Sequence, residues 1–221
     1  CLVGSEMCIR DRVMTNDDIL KGQSAWQSTG GMQLGSVYGH GAYQAPDWTA
    51  DWLHRELTTW LDIKAQAQYQ KPFDQLGVEQ KAPLEAALKQ EYRKGSAHNA
   101  ANDTVTLSPT RIAAMEKTAQ YYIDLYGDNP DFQKSRESFA MKENTLPDLT
   151  KRERLADFYF WTAWTASAER PETGATYTNN WPHEPLIDNT PTAENVIWSI
   201  ASVVFLIAGV GFLVWGWSFL H

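Results

Sequence analysis

Cysteine is nearly absent: only Cys1 and Cys8 occur, both at the extreme N-terminus. Two cysteines so placed build neither a disulfide framework nor a zinc site for the remainder of the chain. No C-x-x-C-H occurs anywhere, which excludes covalent c-type haem attachment, and the cysteine pairs of a binuclear copper centre are missing too. Basic excess is also lacking. A net charge of −8 argues against nucleic acid, whose phosphates need a basic face. No phosphate loop, dinucleotide fingerprint or Ser-His-Asp arrangement is present. Charge vanishes altogether over the 25 residues from Val196 to Leu220. At 1.5 Å per residue that run is roughly 37 Å long, against a hydrocarbon core of about 30 Å. Trp198 near one end and Trp215 and Trp217 near the other match interfacial anchors. The run reads as a transmembrane helix.

Tryptophan, by contrast, is abundant, with ten residues in 221. The densest stretch is Gly30–Glu56, GGMQLGSVYGHGAYQAPDWTADWLHRE. Its glycines open backbone conformations closed to other residues. Pro46 halts the irregular run and Asp47 is placed to cap a helix. Trp48, Trp52, Leu53, Leu57, Trp60 and Leu61 then recur at helical spacing, giving a broad aromatic face, with His54 and Glu56 on the polar side. That face reads as core, as a docking surface or as a carbohydrate platform; burial of the indoles separates the three.

The remaining elements follow from caps and breakers. Thr15 and Asp18 form a capping-type start for a helix to Ser28, with Ile19, Leu20 and Trp26 as its buried side. Pro72 and Gly77 break the chain, and Pro83 opens a helix carrying Leu84, Leu88 and Tyr92, stopped by Gly95. Ser96–Leu107 is polar, with Val105 and Leu107 alternating. Ser108-Pro109 caps a helix with Ile112, Met115, Ala119, Tyr122 and Ile123, ended by Gly127. Asp128–Leu149 reads as a loop. Thr150-Lys151-Arg152-Glu153 has the form of a capping box for a helix bearing Leu155, Phe158, Tyr159, Thr162 and Thr165, flanked by Phe160, Trp161 and Trp164 and ended by Pro171. Glu172–Pro191 is an irregular linker. Residues 1–13, CLVGSEMCIRDRV, lack the apolar core of about seven residues that a signal peptide needs and resemble translated adapter sequence. The organisation expected is a non-native leader (1–13), one extramembrane domain (14–171), a linker (172–194) and a membrane helix (195–221), in a natural protein extending beyond both ends.

From Trp26 to Glu56, WQSTGG through GHGAYQAPDWTADWLHRE, the chain resembles the extramembrane domain of quinol-dependent nitric oxide reductases, single-chain relatives of the haem-copper oxidases. The resemblance extends from about Asp17 to the C-terminus. It implies a mainly α, haem-less cytochrome c-like domain followed by the membrane helix, in a protein combining two NO with two electrons and two protons to give N2O and water. It implies that haem b and non-haem iron are held by histidines on later membrane helices, outside this sequence. The domain would then be a structural cap with no catalytic residue and no redox centre of its own. Its partners would be the catalytic membrane domain of the same chain, the lipid bilayer and quinol, with the domain on the periplasmic side of a bacterial cytoplasmic membrane. In the cytochrome c fold the first helix runs into the haem-attachment motif; here Trp26-Gln27-Ser28-Thr29-Gly30 stands there, and bulky aromatics are expected to fill the haem site.

Gly39-His40-Gly41-Ala42-Tyr43 is similar to a run in the smaller, haem-bearing chain of the cytochrome c-dependent enzymes. There, a glycine carbonyl and the tyrosine help to bind calcium where that chain meets the catalytic one. The resemblance implies Gly41 (backbone oxygen) and Tyr43 as candidate calcium ligands, chemistry that suits a cation taking six to eight oxygens. The alternative is that Tyr43 is a packed turn residue. His40 and His54 show no recognisable ligand spacing. Asp17-Asp18, Asp47/Asp51 and Glu153/Asp157 are paired carboxylates whose positions in first turns and caps account for them without catalysis. The reading that competes with the reductase is a membrane-anchored periplasmic interaction or carbohydrate-binding module using the tryptophan face.

Overall fold

The computed structural model describes residues 14–39, 45–95, 98–99, 104–171 and 173–220. The leader 1–13 and its cysteines, together with His40, Gly41, Tyr43 and His221, lie outside the described residues. The described chain is overwhelmingly helical. Its elements are α1 (Asn16–Ser28), α2 (Trp48–Tyr69), α3 (Val78–Gln90), α4 (Pro109–Leu125), α5 (Gln133–Ser138), α6 (Leu149–Ser167) and α7 (Ala193–Leu220). A two-residue hairpin pairs β1 (His98–Asn99) antiparallel with β2 (Thr104–Val105), His98 facing Val105.

Helix starts obey local chemistry. Thr15 and Asp18 close a reciprocal capping box on α1, and the Thr15 hydroxyl holds the Asp18 carboxyl below the usual carboxylate range. Asp47 accepts from the Ala50 amide, Ser108 from the Arg111 amide, and Pro109 occupies the first position of α4. Three starts differ from expectation. Helix α3 begins at Val78, because Gly77 and the Gln80 side chain form its cap, and Pro83 lies inside it. Helix α6 begins one residue before Thr150, capped by Asp148. Asp128–Leu149 is not all loop: Pro130–Phe132 forms a single tight turn leading into α5, which Arg136 fastens by donating to the Asp124 and Asn129 carbonyls.

The aromatic face of α2 is the centre of the core. Trp48, Trp52, Leu53, Leu57, Trp60 and Leu61 are all buried. Trp48 is ringed by Tyr122, Tyr126, Phe139 and Tyr159 with centroids 5.8–6.0 Å away, and Trp52 stacks on Tyr122 at 5.0 Å. Such pairs add about 0.5–1.5 kcal/mol each beyond their buried area. The Tyr126 and Tyr159 hydroxyls meet at 2.8 Å, and burial pushes both phenols up.

Helices α1 and α6, first and last in the domain, make its most extensive helix–helix contact. Gly22 permits it, since a Cβ there would stand 1.9 Å from the Arg154 carbonyl oxygen. The buried side of α1 is Gly22, Ala25 and Trp26; Leu20, expected inside, is exposed because the narrow Gly22 seam rotates it outward. Helix α6 is buried through Leu155, Phe158, Tyr159, Thr162 and Thr165, as its spacing predicts. It stops at Ser167, earlier than Pro171.

The segment from Thr173 to Pro191 is irregular in backbone, yet Thr176, Glu184, Ile187 and Asn189 are buried against the domain. Beyond it, Ala193–Phe219 of α7 is long and apolar enough to cross a membrane, with mean hydropathy 2.4 and none of that apolar window buried in the protein.

Candidate functional site

Side chains pack tightly around Trp26, the residue expected to stand where a haem-attachment motif would begin. Trp26, in the last turn of α1, donates its indole N–H to the Gly35 carbonyl at 3.0 Å. Its ring lies 5.9 Å from that of Phe158, which stacks at 6.2 Å on Trp161. Tyr38 completes the wall, its ring edge-on to Trp161 at 6.4 Å and its hydroxyl 3.0 Å from Thr165 Oγ1. Burial raises the Tyr38 phenol above its ordinary value. None of these packed residues carries a thiol, an imidazole or a thioether, so they do not fit a haem. An open groove of about 700 Å3 lies between α2 and α4 on Thr59, Asp62, Ile63, Gln66 and Lys117, with no lining residue from α1 or α6.

The glycine turn is gripped by one carboxylate. Asp47 Oδ2 accepts from Ser36 Oγ at 2.8 Å and from the Gly39 amide at 2.6 Å, while Oδ1 accepts from the Ala50 amide at 2.9 Å. The Trp48 amide donates to Ser36 O at 2.8 Å, and the Tyr38 amide to Thr49 Oγ1 at 3.1 Å. Gly39 has φ +80°, and the indole of Trp181 rests where its Cβ would be, so only glycine fits there. Gly41 and Tyr43, the candidate calcium ligands, lie outside the described residues. Asp47, the acid adjoining the turn, is committed to three donors. The described part of the turn therefore completes no calcium site. Among the described residues no group of three or more His, Cys, Asp or Glu is placed to hold a metal ion.

A second constellation is one the sequence did not reveal. Glu56, expected on the polar side of α2, is fully buried, as is Arg111 of α4. Glu56 Oε1 accepts from Arg111 Nε at 3.1 Å and from the Tyr92 hydroxyl at 3.0 Å; Oε2 accepts from Trp52 Nε1 at 2.8 Å. Arg111 Cζ sits 4.0 Å above the Tyr92 ring, and its Nη2 reaches Ser167 Oγ at 3.4 Å. Burial first, then the Glu56 charge, pushes the Tyr92 phenol well above its ordinary value. The pair joins α2, α4, the turn after α3 and α6 at one point. Spacing hints at each without pairing them: Glu56 lies one turn from Trp52 and Trp60, and Arg111 shares helical spacing with Met115, Thr118 and Tyr122.

The acidic pairs behave as helix chemistry. Asp17 pairs with Lys21, and Asp51 with Arg55 while accepting from the Tyr122 hydroxyl at 2.7 Å. Arg154 bridges Asp18 and Asp157 at 3.1 and 2.7 Å. Burial outweighs that cation at Asp157, raising its carboxyl to about 6. His54 does lie on the exposed side of α2, donating Nδ1–H to Glu184 Oε2 at 2.9 Å. His183 donates through Nδ1 to the Asn189 carbonyl.

Residues 9–183 match a family model for the cytochrome c-like domain of the NorB nitric oxide reductase polypeptide. No curated protein matches the chain.

Proposed function

Because the chain belongs to the NorB cytochrome c-like domain family of nitric oxide reductases, we propose that it serves a quinol-dependent nitric oxide reductase as a haem-less cap over the catalytic membrane domain. The observation that carries this is Trp26: an indole stands where a haem-bearing relative needs thiols, held by the Gly35 carbonyl and Phe158. A domain without a c-type centre of its own offers no relay for electrons from cytochrome c, which favours quinol in the bilayer as the donor. Helix α7 spans that bilayer, with the domain on the periplasmic side. Haem b and non-haem iron supply the reductive coupling of two NO to N2O and water, on other membrane helices. The residues described here bring no acid, base or ligand to that step; they fix the height and orientation of the cap. Gly41 and Tyr43 remain candidate calcium ligands at the boundary between cap and catalytic domain.

The competing binder reading required tryptophans on one open face. Trp48, Trp52 and Trp60 are instead buried, which removes it. The reductase reading is tested by NO consumption in membranes containing the protein. A reduced quinol analogue alone is expected to sustain turnover; a strict requirement for reduced cytochrome c would contradict the proposal.

A further inference from the structure

The loop before α7 is fastened on two sides. Toward the domain, Asn189 Nδ2 donates to the Ala166 and Pro182 carbonyls at 2.8 and 2.9 Å. Arg93 reaches Glu169 Oε1 at 2.6 Å, the Gly174 carbonyl at 3.0 Å, and the Ile187 carbonyl and Asn189 Oδ1 at 3.3 Å. Toward α7, the Thr192 amide donates to the Asn179 carbonyl at 3.2 Å, and Asn179 Oδ1 accepts from Arg170 at 2.5 Å. Thr192 in turn accepts from the Asn195 amide through Oγ1 and from the Val196 amide through its carbonyl. The tip of the loop is therefore held beside the first turn of the apolar helix.

That tip carries two half-exposed aromatics, Tyr177 at 39% and Trp181 at 36%. Tyr177 leans on Trp164 at 5.4 Å, and Trp181 covers Gly39. Between Thr173 and Thr192 the only Asp, Glu, Lys or Arg residues are Glu184 and Asp188. Glu184 is buried against His54, and Asp188 is paired with Lys89. Apart from that exposed Asp188–Lys89 pair, the outward surface is aromatic and polar without charge, the composition of a membrane–water boundary. Distance agrees. Six residues of helix separate Thr192 from Trp198, roughly 9 Å along the axis at 1.5 Å per residue. With Trp198 at the hydrocarbon edge, Thr192 and the loop tip fall about one headgroup layer outward.

We propose that this loop is a lipid-contacting collar, with Tyr177 and Trp181 seated among phospholipid headgroups around the entry of α7. The proposal rests on reading α7 as membrane-spanning. It makes the pre-helix segment a rigid strut that holds the domain down on the bilayer.

The test reconstitutes the chain into phosphatidylcholine vesicles containing a headgroup-spin-labelled lipid and follows quenching of tryptophan fluorescence. Differences between the parent chain and Trp181→Phe, Trp198→Phe and Trp60→Phe isolate each indole. The Trp181 component is expected to be quenched to an extent comparable with Trp198, and the Trp60 component to be unquenched. Tyr177→Trp, a signal gained at the same level, gives a second reading and should also be quenched. A Trp181 component as protected as Trp60, with Trp198 still quenched, would overturn the collar alone and point to a protein surface covering it. Protection of Trp198 as well would overturn both the collar and the membrane-spanning reading.

Discussion

Replacing Arg111 by methionine tests the buried ion pair most sharply. The substitution keeps the stem that packs on Tyr92 but leaves Glu56 facing only the Tyr92 hydroxyl and the Trp52 indole. Both charged side chains are fully buried and 3.1 Å apart. At an effective dielectric of 20 the attraction forfeited is about 5 kcal/mol; measured losses on breaking buried pairs are about 3–5 kcal/mol. Most of that loss is the penalty of an unpaired buried carboxylate, so adding Glu56→Gln should recover a large part of it. A double-mutant cycle is then expected to show a coupling of about 2–3 kcal/mol. The assay is urea unfolding of the detergent-solubilised chain, followed by near-ultraviolet circular dichroism, which reports the loss of fixed packing around the buried core aromatics. A cost below about 1 kcal/mol for Arg111→Met, or a double variant as unstable as the sum of its parts, would refute the reasoning.

Other substitutions follow the same logic. Gly22→Ala should part α1 from α6, costing about 1–3 kcal/mol, because the obstruction is the Arg154 backbone and cannot swing aside; a neutral result in the same unfolding assay would contradict the seam. Trp26→Ala should cost about 3–5 kcal/mol, whereas Trp26→Phe should cost less, losing mainly the bond to Gly35. Asp157 sets a pH signature. Its folded carboxyl titrates near 6 against an ordinary 3.8, so the folded state binds the extra proton between those values and stability falls as pH rises through that window. Two units amount to about 3 kcal/mol, discounted to roughly 1–2 kcal/mol for partial solvent access. Asp157→Asn should therefore flatten the profile between pH 4 and pH 6 and stabilise the chain at neutral pH; an unchanged profile would count against it.

The sequence was most legible where one residue settles one backbone group. Thr15 with Asp18, Asp47, and Ser108 with Pro109 are caps that need no distant partner, and each is where its residue type demands. The stripe from Trp48 to Leu61 was legible because its period and its bulk agree. What was not legible depends on partners far along the chain. Glu56 meets Arg111 55 residues away, and a lone glutamate between tryptophans looks solvent-facing until that cation is known. Hydrophobicity points Leu20 inward, but the close approach of the Arg154 backbone at Gly22 leaves it exposed. Pro83 resembles a helix start because proline favours first turns, while the quieter Gly77–Gln80 cap sets the boundary. The loop before α7 shows no periodicity at all; its order comes from Arg93 and Asn189, side chains that bond to scattered carbonyls.

The central claim is that side chains occupy the place where an iron porphyrin would sit. The direct measurement is titration of the purified chain with haemin, read by absorption and by the unfolding temperature. No saturable spectral shift and an unmoved unfolding temperature are expected for the parent chain. Stoichiometric binding accompanied by stabilisation would contradict the claim.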